Sequence, residues 1–173
     1  MDIGNYDDAA RKFYKTLKIT QLPVSSWDFY APNFDTFCDT ANDITSLSKI
    51  AKENSWVFDS NLFEEELQEK EHVIVVTDAK LNIVYATNNI WKMNGYRPEQ
   101  LIGNKPNMFQ GKETCKKSLE IISTAIKAER SFETTVTNYR QDGTTYNCWI
   151  HGQPIFDKTG KVINFIAFER EVA

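Results

Sequence analysis

The sequence predicts an α+β fold: a five-stranded antiparallel sheet with helices gathered on one face, preceded by an N-terminal helical extension. Three observations predict it. The hydrophobic period changes near Glu71 from helical spacing to short β-branched runs. Those runs come as two, then a helical region, then three. The last three are joined by Gln141-Asp142-Gly143 and Asp157-Lys158-Thr159-Gly160, turn chemistry that makes neighbouring strands antiparallel.

Taken in order, Tyr6, Ala10, Phe13, Tyr14 and Leu17 fall on one face of a helix over residues 6–18, with Asp7 and Asp8 at its positive end and Lys15 and Lys18 at its negative end. Pro23 and Pro32 bracket an aromatic stretch, Val24 to Ala31, that reads as an ordered crossing over protein surface. Asn33 is placed to cap a second helix through Phe37, Ala41, Ile44, Leu47 and Ala51, stopping at Asn54. Asn61 and Glu64 form a capping-box pattern for a short third helix through Phe63 and Leu67.

Residues 72–77 and 81–86 then read as a hairpin, and residues 90–94 as a short helix ended by Gly95. Polar turns lead through Gly103 to a loop closing at Phe109-Gln110. Residues 112–128 form one clear helix with Cys115, Leu119, Ile122 and Ile126 on a single face. The remaining strands are residues 132–140, 145–155 and 161–172. Residues 1–70 are therefore an extension that packs on the sheet or at a dimer interface, and residues 71–173 a domain.

Composition narrows the function. With 41% hydrophobic and 25% charged residues the chain is an ordinary globular protein. A net charge of −4 leaves no basic excess to meet nucleic acid or anionic lipid. The longest wholly apolar run, Val73 to Val76, is far too short for a bilayer, and Asp2, Asp7 and Asp8 stand where a secretory signal carries lysines, so a cytoplasmic location is expected. Cys38, Cys115 and Cys148 are odd in number and widely spaced, which fits reduced thiols and no metal site. No nucleophile–base pair, paired carboxylates or phosphate loop is visible, so no enzyme is expected.

Strand parity groups the interesting polar residues. Thr134, Val136 and Asn138 share one face, as do Cys148 and Ile150, and as do Phe165, Ala167 and Glu169. An inward carboxylate such as Glu169 must be paired, protonated or beside water, or else be turned outward by a bulge. The outward parity collects Ile74, Val76, Trp149, Ile166 and Phe168, more apolar surface than a lone domain exposes. It is covered either by the N-terminal helices or by a second copy. The expected arrangement is a homodimer in which the helix over residues 7–18 or that over residues 33–54 caps Trp149 and Phe168.

The pattern G-Y-x-x-E-x-L-I-G-x-x-P-x-x-x-Q from Gly95 to Gln110 resembles a PAS domain, and among these the flavin-binding LOV branch. The resemblance covers residues 71–173. It implies that Pro106 stands where that branch carries its flavin-adduct cysteine, so adduct photochemistry is not expected. Asn107, and a position near Ser123, replace its phosphate-binding arginines. Gln110 and Asn138 match its polar ring contacts, Cys148 replaces an asparagine, and Glu169 replaces a glutamine. The candidate ligand set is therefore Gln110, Asn138, Cys148 and Glu169, with Thr77 and Asn107 beside them. Gln110 and Asn138 equally suit a plain role, satisfying buried backbone groups. Haem is not expected, since the histidines, His72 and His151, both lie in strands. That leaves no cofactor, or a non-covalently held FMN or other flavin. The resemblance implies a non-catalytic sensory or protein-interaction module of intracellular, two-component-type signalling, whose partner is a C-terminal output domain or a separate signalling protein. The alternatives are a ligand-free dimerisation scaffold, its core filled by Met108, Phe109, Phe132, Ile150 and Phe165, and a cysteine-less LOV-like redox or light sensor.

Overall fold

Alternating β-branched residues build the sheet that the rest of the chain is laid upon. The computed structural model describes residues 25–59 and 61–173; the helix expected over residues 6–18 lies outside them. The chain divides into two units, Met1–Asp35 and Thr36–Ala173. Residues 25–35 of the first are the beginning of helix α1 (Ser25–Glu53).

That helix corrects one expectation: Asn33 is not a cap, because the helix already begins at Ser25 and residues 25–31 belong to it. Pro32 removes one donor, leaving the Asp28 carbonyl without its usual partner, and helical bonding continues past it. Asn54 ends the helix as expected, donating through its own N–H and its side-chain amide to the Ile50 carbonyl. Short helix α2 (Leu62–Glu64) widens into a π turn over Glu65–Glu69. Its expected capping box does not form, because Asn61 already has helical angles and its N–H donates to Asp59 Oδ1 at 3.0 Å.

Five antiparallel strands follow the order β2-β1-β5-β4-β3: β1 (Val73–Asp78), β2 (Ile83–Ala86), β3 (Phe132–Tyr139), β4 (Thr145–Phe156) and β5 (Val162–Val172). The last strand pairs with the first, so Val73 and Ile150 flank Glu169 in register. Helices α3 (Ile90–Asn94), α4 (Pro98–Leu101) and α5 (Lys116–Lys127) lie between β2 and β3 in the chain. Gly95 stops α3 with φ +81°, a left-handed cap that an L side chain strains to adopt.

Both sheet faces are covered. On one, Val73, Val75, Tyr146 and Cys148 pack with Ile90, Met93, Leu101 and Phe109. On the other, Ile74, Val76, Ile166 and Phe168 form a second core with Leu47, Trp56, Phe63 and Leu67 from the chain's own N-terminal side. These four strand residues are at most 2% exposed, so they offer no surface to a second copy while that segment is in place. Trp149 differs. It is half-buried, with its ring 5.2 Å from His72 and 6.2 Å from His151 and its indole N–H donating to Glu133 Oε1.

Polar contacts lock the covering segment down. Asp43 of α1 accepts from the Tyr85 hydroxyl at 2.7 Å, the Asn88 N–H at 2.8 Å and the Asn88 amide at 2.9 Å. Trp56 Nε1 donates to Asn164 Oδ1, and the Asn164 amide donates to the Thr77 carbonyl. Glu66 sits 2.5 Å from His72 Nδ1 and 3.0 Å from Lys70 Nζ. Burial raises the Glu66 carboxyl, but the hydrogen bonds of His72 and Lys70 outweigh it and hold it below the usual range.

Candidate functional site

Helix α5 begins later than its sequence pattern suggests, because residues 111–115 are spent on turns. Thr114 Oγ1 accepts the Gly111 N–H and donates to the Thr137 carbonyl, tying this turn to β3. Cys115 ends up exposed at the helix N-terminus, not on the inner face. No residue of α5 is fully buried. The helix stands off the sheet, and the gap is a cavity of about 260 Å³.

The walls are mostly apolar: Val75 of β1, Val136 of β3, Ile150 of β4, Phe165 and Ala167 of β5, and Ile122 and Ile126 of α5. Phe109, Phe132, Ile150 and Phe165, four of the five residues of the filled-core alternative, line this space and leave it open. Gly152 matters here: a Cβ on it would lie 2.3 Å from the Phe132 ring, so only glycine lets that ring lie flat across the strand.

Of the candidate ligand residues, Thr77, Asn107, Gln110, Asn138 and Glu169 all line the cavity. Cys148 does not. It is fully buried one layer away, its thiol 3.7 Å from Glu169 Oε2, which corrects its place in the set. It sits diagonally across from Glu169, in register with Glu171, and reaches the Glu169 carboxyl only through its thiol. Ser123 is exposed, donating to the Glu120 carbonyl. Neither histidine lines the cavity. Among the described residues no group of His, Cys, Asp and Glu is arranged to hold a metal ion.

Two lining residues that sit in turns escaped the sequence reading. Leu81 enters from the β1–β2 turn with φ +66°, held there as Asp78 Oδ1 accepts the N–H groups of Lys80 and Asn82. The Asp78…Asn82 pair was its only signal. Lys105 stands with Pro106 and Asn107 at the solvent side of the cavity and is the one cation among its lining residues. Turn residues have no parity to read, so neither position announces itself.

The inner wall of the chamber is a poor environment for charge. Glu169 is 7% exposed, and burial pushes its carboxyl up to about 7. Burial also raises the Tyr146 hydroxyl and the Cys148 thiol, keeping both protonated. Thr77 Oγ1, on the cavity wall, is buried with no hydrogen-bond partner among the described residues. An orphaned polar atom on a cavity wall is what a bound ligand would satisfy.

A sheet with a small chamber on one face and residues 43–67 of the same chain packed on the other is the architecture of a sensory domain. A family model described as "PAS domain" matches residues 71–173, and the chain belongs to that family. It is 38% identical over 109 residues to Protein TWIN LOV 1 of Arabidopsis thaliana, covering 61% of this chain and 27% of that one. It is 34% identical over 110 residues to Phototropin-2 of Oryza sativa, covering 62% and 12%. To the blue-light-activated histidine kinase of Brucella anthropi it is 29% identical, covering 52% and 18%. The chain thus spans no more than 27% of these relatives. Among solved structures it is similar to a light-oxygen-voltage domain studied with a flavin analogue (TM-score 0.61, 25% identity, 66% and 87% covered). It is also similar to the Aureochrome1 LOV domain in its light state (TM-score 0.58, 30% identity, 63% and 88% covered). The LOV-like relationship is therefore established, and the module is a PAS sensory domain of the kind found in signalling proteins.

Proposed function

We propose that this PAS module senses by taking a small, neutral ligand into the chamber under α5 and passing the change through the sheet to α1. The observation that carries this is the cavity itself: about 260 Å³, apolar, and lined by an orphaned Thr77 hydroxyl and a buried Glu169 carboxyl. A core meant only for scaffolding gains stability by filling such a space. Occupancy favours one packing of β1 and β5, and the opposite face of those strands carries Leu47, so ligand and helix bias one equilibrium.

The ligand chemistry best supported by the LOV relatives is a flavin. Gln110 and Asn138 present amides suited to the polar edge of its ring, and Thr77 adds a hydroxyl, so the lining residues fit the ring. When bound, a flavin supplies blue-light absorption and electron transfer. Pro106 offers no thiol, so the hold is non-covalent, and Lys105 is the single charge available to a phosphate. Residues 1–70 act as the transmitting extension and residues 71–173 as the sensor. The module is non-catalytic and cytoplasmic, works as a homodimer through Trp149 and the surface around it, and addresses a C-terminal output domain or a separate signalling protein. Among the described residues no helix is long and apolar enough to cross a membrane.

The absorption spectrum of freshly purified protein tests this. A flavin band supports the flavin, and a Soret band overturns it. With a blank spectrum, native mass spectrometry decides: a retained small molecule supports the cavity reading, and ligand-free protein that also binds no riboflavin refutes it.

A further inference from the structure

Glu169 is the one carboxyl among the described residues that line the chamber, and Lys105, the one cation among them, is exposed at its solvent side. It is flanked in register by Val73 of β1 and Ile150 of β4. Among the described residues its sole hydrogen-bond partner is the Cys148 thiol at 3.7 Å, a weak donor. The other titratable groups facing it are Tyr146, on the strand of Cys148, and Lys105, exposed at the solvent side of the cavity; α5 contributes Ile122 and Ile126, and β3 contributes Asn138. His72 packs with Glu66 and Trp149 on the opposite sheet face.

We infer that Glu169 serves the chamber as a carboxylic acid, donating its proton to an acceptor atom of a neutral ligand, so that occupancy is linked to pH. The inference rests on the reading of this cavity as a ligand site and names how that site is regulated. A protonated carboxyl offers a donor and an acceptor side by side, as an amide does. An ionised one beside a neutral ligand would be a buried, uncompensated charge. Burial places the exchange between these forms near neutrality, inside the range a cell experiences. The sign follows: the acid is intact below its raised titration point, and affinity declines as pH rises through it. A cationic ligand would show the reverse slope.

Two measurements on the full chain test this. Riboflavin is the probe, because it lacks the phosphate of FMN, whose second ionisation near about 6 would confuse the profile. Titrated by fluorescence between pH 5.5 and 8.5, the wild type is expected to lose about tenfold in affinity per pH unit above the Glu169 transition, while Glu169→Gln binds with no such slope. A flat wild-type profile, the same slope in both proteins, or affinity rising with pH overturns the proposal. Infrared difference spectra of ligand-free wild type against Glu169→Gln read the acid directly. A protonated-carboxyl C=O band present at pH 6 and lost by pH 8.5 is expected, and its absence at pH 6 overturns the proposal. If riboflavin binds neither protein at any pH, the flavin reading fails, and the infrared band alone decides whether Glu169 holds a proton.

Discussion

Removing the Asp43 carboxylate should loosen the grip of α1 on the sheet. Asp43 is 2% exposed and accepts from the Tyr85 hydroxyl and from both donors of Asn88. A hydrogen bond to a charged group is worth about 1.5–3 kcal/mol. The three do not simply add, because Asp43 also suffers from burial: desolvation, joined by the nearby charge of Asp39, raises its carboxyl despite the bonds of Tyr85 and Asn88 that lower it. Asp43→Ala leaves the Tyr85 and Asn88 donors unanswered and should cost about 2–3 kcal/mol, a drop in Tm of roughly 5–10 °C. Asp43→Asn keeps one acceptor and sheds the buried charge, so it should cost less than about 1 kcal/mol. Leu47→Ala, a deletion at a fully buried site on the same helix, should cost about 3 kcal/mol and calibrates what undocking α1 does. Urea unfolding followed by tryptophan fluorescence reads all three, since Trp56 lies in the covered core. If Asp43→Ala cost under about 0.5 kcal/mol, or Asp43→Asn cost as much as Asp43→Ala, the reasoning would be wrong.

Three further perturbations have defined outcomes. Gly152→Ala sets a methyl 2.3 Å from the Phe132 ring, pushing the ring into the chamber; a loss of about 1–3 kcal/mol and of riboflavin affinity is expected by urea titration and fluorescence, and unchanged binding would show that the ring yields elsewhere. Glu66 has a lowered folded pKa, so its contribution is present above its unfolded value and is lost as pH falls through the folded one. The stability advantage of wild type over Glu66→Gln should therefore shrink as pH falls below about 4.3, and a gap constant down to pH 3 would contradict the pairing with His72 and Lys70. Trp149→Glu should convert a dimer to a monomer by light scattering without unfolding it, because Trp149 lies outside the buried core of Leu47 and Phe168; a wild type that is already monomeric rules out the proposed dimer face.

Much of the fold is legible in residues near one another in the chain. Asp142-Gly143 and Asp157…Gly160 close their hairpins through local bonds, with Asp142 and Asp157 accepting from Thr144 and Thr159, so the β3–β4–β5 register needs no distant information. Strand parity then places Asn138 and Glu169 on the chamber side, and Ile166 and Phe168 on the other. Helical spacing shows that Leu47, Phe63 and Leu67 must be buried, but an apolar stripe does not name the surface it meets. Only the docked chain decides that they cover Ile74 and Phe168 within one molecule.

The chamber was the least legible feature. Ile122 and Ile126 read as a packed helix face, yet α5 stands off the sheet because the turn over residues 111–115 is anchored by Thr114 to β3. Leu81 and Lys105 reach the cavity from turns, and Cys148 falls behind Glu169 although their parity is shared. Period and turn chemistry are properties of the local backbone, so the sequence alone determines the strands, their order of hairpins and which way each side chain points. The distance between two packed layers is set by every contact that holds them apart, and so the existence of the cavity, and what covers the far side of the sheet, were decided only in the tertiary structure.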